Sequence, residues 1–248
     1  MPYTLTVSPD FTPDHLSGWY IFNTWLQKTT GEAIHLEIFN SFLAQHEAIQ
    51  DDEIDLIFAN PFDAAMLVRE KGFLPLVMAQ GRSDEAVIAV SSDSPIIDVT
   101  ELLPGCRVAV TEDPDVRLMG MIMLEPADLA TDNVQTHVCD SYVLVAKQLL
   151  RGDADVGIFL AEAYDGLSNI IKKQLKMLVR SQIDVIHHAL MVGPRLVDRR
   201  DELRNTLLAM NNDEKGQDIL KNLRFDAWNS VEDADMEFMI DLMDTLNT

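Results

Sequence analysis

Positive charge is scarce in this chain. Its 248 residues hold 19 lysines and arginines against 41 aspartates and glutamates, giving a net charge of −22 and a pI near 4.4. Long-range repulsion of that size opposes encounter with nucleic acid or an anionic membrane face, so neither is expected as a partner. The acidic residues are scattered rather than gathered into a tail, the pattern of a solvated surface. No apolar run approaches the roughly twenty residues that span a bilayer, so direct membrane insertion is not expected. The sequence starts Met1-Pro2-Tyr3 and is expected to enter a strand at once, so no signal peptide is expected within it.

Cysteine is scarcer still, with two residues. Cys106 opens a predicted strand and Cys139 closes another, which puts the thiols at opposite ends of a parallel sheet and out of disulfide reach. Free thiols fit a reducing compartment better than an oxidising one, and neither cysteine has the paired spacing of a zinc site. The sequence also lacks G-x-S-x-G, a P-loop, G-x-G-x-x-G and H-E-x-x-H. His187-His188 lies in an apolar segment where neighbours point to opposite faces of a strand, so the pair does not chelate one metal. No catalytic residue, metal or cofactor is expected.

What the chain does have is one script written twice. Gln50-Asp51-Asp52-Glu53-Ile54-Asp55-Leu56-Ile57-Phe58-Ala59-Asn60-Pro61 and Arg151-Gly152-Asp153-Ala154-Asp155-Val156-Gly157-Ile158-Phe159-Leu160-Ala161-Glu162 each end a helix and turn an acidic corner. Each then runs a short apolar strand and opens another helix. An apolar run without polar alternation is the mark of a strand buried on both faces of a parallel sheet. Two such units predict an α/β protein of two similar lobes, and the 47% hydrophobic content suffices for two modest cores. In open α/β sheets a ligand lies beyond the carboxyl ends of the strands, so the two sets of strand ends are expected to enclose a cleft.

Along the chain, strands and helices alternate. Predicted strands at 4–7, 35–39, 56–59, 75–79 and 86–90 belong to a first lobe. Those at 107–111, 134–138 and 156–160 belong to a second, with helices starting after Asp113-Pro114 and Asp140-Ser141 and a helix expected over 162–173. The polar stretch from Ser91 to Pro95 reads as a linker, and the apolar segment 185–192 returns the chain. The expected division is therefore 1–91 with 185–248 as lobe 1 and 92–184 as lobe 2, crossing near Ser91 and Asp184 as a hinge pair.

The order and spacing of these pieces resemble a known family. Val7-Ser8-Pro9-Asp10, Asp55-Leu56-Ile57 with Asn60-Pro61, Gly105 with Val108-Ala109-Val110 and Asp113-Pro114, Gly152-Asp153-Ala154-Asp155, and Phe225, Trp228 and Asp233-Ala234-Asp235 follow one another as in the phosphate, phosphite and phosphonate type of solute-binding protein that serves ABC importers. The resemblance implies a two-lobed type II periplasmic-binding-protein fold of the Venus-flytrap kind, without chemistry of its own. Its phosphonate binders carry a Ser-Thr-Ser type run after the Asp-Pro, where hydroxyls and amides at a helix N-terminus hold the oxyanion. This chain has Asp115-Val116-Arg117-Leu118 there, Tyr142 after Ser141 where a histidine is expected, and Ala64 where a tyrosine is expected. Pyrimidine-pathway enzymes on a related fold need a cysteine-rich motif that two isolated cysteines do not supply.

Candidate ligand contacts follow from the strand ends. Asp10, Asn40, Ser41, Asn60 and Phe62 belong to lobe 1, and Asp115, Arg117, Ser141, Tyr142 and Glu162 to lobe 2. Asp10 and Ser41 read equally as helix caps, Phe62 as a core residue, and Glu162 as a first-turn acid stabilised by the helix dipole. Arg117, a lone cation in an acidic loop-to-helix turn, is the strongest candidate, against a surface ion pair with Asp113 or Asp115. A carboxylate at Asp115 disfavours a dianion, so a small polar or amphipathic ligand other than a phosphonate is expected. An enzyme on this scaffold has no residue-level support, and two binding roles stay open beside it. One is an extracytoplasmic receptor partnered by an ABC permease. The other is a cytoplasmic or tethered metabolite sensor with a signalling partner, to which the start at Met1 and the reduced thiols point.

Overall fold

A computed structural model describes residues 2–9 and 13–246. In it the chain begins with β1 (Tyr3–Val7), α1 (Pro13–Thr30), β2 (Ile34–Glu37), α2 (Phe42–Gln50), β3 (Leu56–Ala59) and β4 (Leu74–Ala79). It continues through β5 (Ala86–Ser91), β6 (Arg107–Val110), α3 (Pro114–Leu124), β7 (Gln135–Val138), α4 (Tyr142–Arg151), β8 (Val156–Leu160), α5 (Ala161–Gly166), α6 (Asn169–Lys172) and β9 (Leu175–Arg180). It finishes with β10 (Ala189–Val192), α7 (Arg200–Ala209), α8 (Glu214–Asn222), β11 (Trp228–Ser230) and α9 (Asp233–Leu246). Two compact units result: Met1–Arg82 with His187–Met243, and Ser83–Ile186 with Asp244–Thr248.

Unit 1 is built on a six-stranded sheet in the order β11-β4-β10-β3-β1-β2. All of β3 is buried, and its alternation splits it between two cores. Leu56 and Phe58 join Trp19, Phe22, Phe225 and Trp228 on one face, while Ile57 and Ala59 join Ile49, Leu67, Met236 and Ile240 on the other. The Phe58 ring lies 5.0 Å from that of Trp19 and 5.6 Å from that of Phe225, centroid to centroid. Burying such aromatics contributes roughly 1.5–3 kcal/mol per side chain. The apolar run of β3 thus reflects a strand covered on both sides.

Unit 2 holds a five-stranded sheet in the order β7-β6-β8-β5-β9. β5 runs antiparallel to both β8 and β9 and lies between them, and residues 86–90 are fully buried. The first crossing between units therefore falls after Arg82 rather than near Ser91, because β5 belongs to unit 2. A Cβ on Gly120 of α3 would sit 2.3 Å from the side chain of Ile158, so a bare glycine lets that helix approach β8.

Three further expectations change. The helix that the first copy of the script opens after Asn60-Pro61 is a 3-10 turn at Pro61–Asp63 followed by a π turn at Met66–Glu70, and Leu67 is buried in the course of it. The helix expected over 162–173 breaks at Leu167, and Ser168 caps α6 by accepting the amide of Ile171 at 3.4 Å. β9 lies where no strand was predicted, since its half-exposed pattern lacks the unbroken apolar run used to find the others.

The doubled script is visible as a doubled corner. Asp55 accepts the amide of Thr4 at 2.9 Å and returns its own N–H to the Thr4 carbonyl at 2.9 Å. Asp155 does the same with Arg107, at 2.8 and 2.9 Å. Each aspartate pins the start of one parallel strand to the start of its neighbour, which sets where both carboxyl ends emerge. Asp52 and Gly152 turn the preceding helix ends with φ of +57° and +71°.

Candidate functional site

In unit 1 the carboxyl ends of β1, β2 and β3 deliver Ser8, Asn40 with Ser41, and Asn60. Asp10 lies outside the described residues. Ser41 caps α2, its Oγ accepting the amide of Ala44 at 3.2 Å, while Asn40 is exposed. Asn60 is fully buried, and its Oδ1 accepts the amide of Phe62 at 2.9 Å, which starts the 3-10 turn. Phe62 is 38% exposed and so is not the core residue that its type suggested.

Behind these ends sits a polar cluster that sequence reading missed. Gln45 of α2 is buried and donates to Thr6 Oγ1 at 3.2 Å and to the Val7 carbonyl at 2.8 Å, tying α2 to the end of β1. His46 Nε2 pairs with Asp63 Oδ1. Asp63 is buried and His46 half-buried, and the hydrogen bond to Asp63 raises the imidazole pKa against the lowering effect of burial. Ser8 Oγ, Gln45 Oε1 and Asp63 Oδ2 are buried without a hydrogen-bond partner. Buried polar atoms are normally paired, so this strand end has acceptor and hydroxyl capacity in reserve.

In unit 2 the end of β6 leads into α3 through Asp113-Pro114-Asp115, and both carboxylates are buried, at 3% and 1% exposure. Asp113 does not cap α3 with its side chain. Its Oδ2 accepts the phenol O–H of Tyr142 at 2.8 Å. Tyr142 is itself buried, its ring 6.2 Å from that of Phe159, so the hydroxyl foreseen as a ligand contact is committed to Asp113. Burial, then the Asp113 charge, pushes the phenol pKa well above its ordinary value.

Arg117 lies in the first turn of α3, half-buried, its backbone N–H on the Asp113 carbonyl at 3.1 Å. Among the described residues it forms no ion pair with Asp113 or Asp115, which leaves its guanidinium for other use. Ser141 repeats the role of Ser41, capping α4 by accepting the amide of Leu144 at 3.4 Å. Glu162 is exposed at the end of β8, and Tyr164 beside it is buried against Phe159.

The two unit-2 chain ends meet at Glu85, a second residue missed from sequence. Its carboxylate accepts the amides of Ile183 and Asp184 at 2.9 and 2.8 Å and the hydroxyl of Ser181, while Asp84 N–H bonds the Ile186 carbonyl at 2.7 Å. No group of three or more His, Cys, Asp or Glu among the described residues is arranged to hold a metal ion. No helix among them is long and apolar enough to cross a membrane. Two depressions of ≈ 520 and ≈ 480 Å³ flank Tyr20 of α1, and neither includes a candidate contact.

Residues 5–236 match the family model described as the ABC transporter, phosphonate, periplasmic substrate-binding protein. The chain belongs to this phosphonate-type substrate-binding family. No curated protein sequence is similar enough to count as a relative. Among solved structures, PhnD1 from Prochlorococcus marinus in complex with methylphosphonate superposes with a TM-score of 0.82 at 15% identity, over 99% of this chain and 98% of that one. XAC2383 from Xanthomonas citri bound to chloride superposes at 0.78 and 17% identity, over 99% and 98%. The aliphatic sulphonate binding protein SsuA from Escherichia coli does so at 0.68 and 13%, over 99% and 87%. At such identities the likeness establishes the fold, the two-lobed type II periplasmic-binding-protein architecture.

In this phosphonate-type family member, the helix start after β6 presents buried acids at Asp113 and Asp115. An ionised carboxylate accepts hydrogen bonds and donates none. The donors left near that start are Arg117, the Ser141 hydroxyl and the first amides of α3. Arg117 was legible from sequence as a lone cation. The Tyr142–Asp113 bond was not, because it joins residues 29 apart through side chains alone.

Proposed function

We propose that this chain is the non-catalytic solute-binding component of an ABC importer and that its ligand is a small polar or amphipathic solute other than a phosphonate. The observation that carries the reading is the burial of Asp113 and Asp115 at the start of α3. A phosphonate needs several donors converging on its oxygens. Buried carboxylates in that place offer acceptors instead, and a unit charge about 4 Å from a like charge costs on the order of 4 kcal/mol at an effective dielectric of 20. A solute that brings its own N–H or O–H donors suits this turn better. The exposed strand-end groups Asn40, Phe62, Ser141 and Glu162, with the half-buried Ser41 and Arg117, are the contacts we assign. The permease is the protein partner that this family membership supports, and no observation favours a signalling partner.

A melting screen tests the reading. A solute at a hundred times its dissociation constant adds about 2.7 kcal/mol of stability. Amino acids and vitamin precursors are expected to shift the midpoint more than methylphosphonate, phosphite or phosphate. A largest shift from methylphosphonate or phosphite would overturn the assignment of the acidic turn.

A further inference from the structure

Around the carboxyl ends of β1 and β3, three buried side chains each keep an oxygen unmet. Ser8, Gln45 and Asp63 are 1%, 0% and 2% exposed, and Ser8 Oγ, Gln45 Oε1 and Asp63 Oδ2 have no hydrogen-bond partner among the described residues. Asp55, a carboxylate buried as deeply at the opposite end of β3, is met by the Thr4 amide at 2.9 Å and by Arg195 Nη1 at 3.1 Å. Buried polar atoms are normally paired, so three open acceptors in one place mark a position for a group that the chain itself does not supply.

Their neighbours bring them together. Gln45 Nε2 donates to Thr6 Oγ1 at 3.2 Å and to the Val7 carbonyl at 2.8 Å, so the oxygen of the same amide lies beside the end of β1. Ser8 continues β1, its N–H on the Phe58 carbonyl at 3.0 Å, and stands two residues from Thr6, on the face that Gln45 covers. His46, the next residue of α2, holds Asp63 through Oδ1 and leaves Oδ2 open. All three unmet oxygens therefore gather around the adjacent pair Gln45 and His46.

We propose that this strand end is the subsite for a primary ammonium group and that the solute of the chain is therefore an amine. The inference rests on the reading of the chain as the receptor for a solute that brings its own donors, and narrows it to one chemical class. A carboxylate oxygen and an amide oxygen only accept hydrogen bonds, and a hydroxyl accepts as well as donates. A primary ammonium carries three N–H donors and no acceptor, one donor for each of Ser8 Oγ, Gln45 Oε1 and Asp63 Oδ2. A water brings two donors, an alcohol one and a quaternary ammonium none. The enclosure of the three atoms suits a group as small as –NH3+, which enters past His46, whose side chain is 36% exposed over Asp63. The net charge of −22 draws a cation toward the protein where it repels an anion.

Calorimetric titration of the full chain with glycine, ethanolamine and putrescine tests the subsite, each against analogues that keep the shape and lose the donors: betaine and glycolate for glycine, choline and ethylene glycol for ethanolamine, butanediol for putrescine. At least one of the three amines is expected to bind, with its analogues at least tenfold weaker. Ser8→Ala and Asp63→Asn are each expected to weaken that amine at least tenfold, and if Asp63→Asn does not fold, Ser8→Ala alone decides. Binding of none of the three amines overturns the subsite, as does amine binding that survives the substitutions. Tighter binding of a neutral solute such as glucose overturns the subsite and leaves the reading as a receptor for a non-phosphonate solute standing. Tighter binding of methylphosphonate overturns both.

Discussion

The Tyr142 hydroxyl donates to Asp113 Oδ2 at 2.8 Å, and both side chains are buried. This bond orients the carboxylate that opens α3 and fixes the start of α4 against the end of β6. Tyr142→Phe removes the donor and keeps the ring. Depriving a buried carboxylate of one hydrogen bond costs about 1–3 kcal/mol, and the loss is read from the urea midpoint. In an alkaline absorbance titration Tyr142 should ionise only as the protein unfolds, because burial and Asp113 hold its proton.

The twin corners at Asp55 and Asp155 are expected to differ in acid. Asp155 is held below the ordinary carboxylate pKa, chiefly by the Arg107 side chain, so its contribution is full above the unfolded-state pKa and fades as pH falls through the folded one. Asp55 is raised, chiefly by burial, against the opposing effects of the Thr4 amide and Arg195. Its protonated form is therefore favoured in the folded state, and that contribution is lost as pH rises through the folded pKa. Asp155→Asn should flatten the acid limb of the stability curve. Asp55→Asn should remove an opposing slope while keeping an acceptor for Thr4. Asp55→Ala, which leaves that amide without one, should cost about 1–3 kcal/mol at neutral pH.

At Asp52 the chain turns left-handed with a side chain, where Gly152 does so without one. Asp52→Gly relieves that strain and gives up an ion pair with Lys71, whose aspartate partner is 81% exposed and so contributes little. A net gain of a few tenths to about 1 kcal/mol is expected from chemical denaturation. A loss would mean that the Lys71 contact outweighs the backbone term.

His46 is predicted to stay protonated to higher pH than a free imidazole, because Asp63 accepts from it. Stability from this pair is complete below the unfolded histidine pKa and is lost as pH rises through the raised folded value. Proton NMR of the His46 ring should show the elevated midpoint, and Asp63→Asn should lower it. An unchanged midpoint in that variant would remove Asp63 as the cause.

Much of the architecture could be read from residues that repeat. The acidic corners at Asp55 and Asp155 and the apolar runs after them announced two α/β units, because a strand covered on both faces has only one sequence solution. The serine caps at Ser41 and Ser141 were legible for the same reason: capping is local. β9 and β11 were not, since a half-exposed or three-residue strand owes its existence to a partner far along the chain. Nor was the unit boundary, which depends on β5 choosing β8 and β9 across 68 to 93 residues. In the candidate site, Arg117 stood out by type. Gln45, Asp63, Glu85 and the Tyr142–Asp113 pair act through side chains that meet only after folding, and no spacing rule brings such partners together beforehand.

Glu85 grips amides 98 and 99 residues further on, so the ends of the 83–186 stretch are stitched side by side by one carboxylate. A segment whose entry and exit are fastened to each other can be lifted out as a cassette. Exchanging that stretch for its counterpart from a relative would transplant the acidic turn in a single graft.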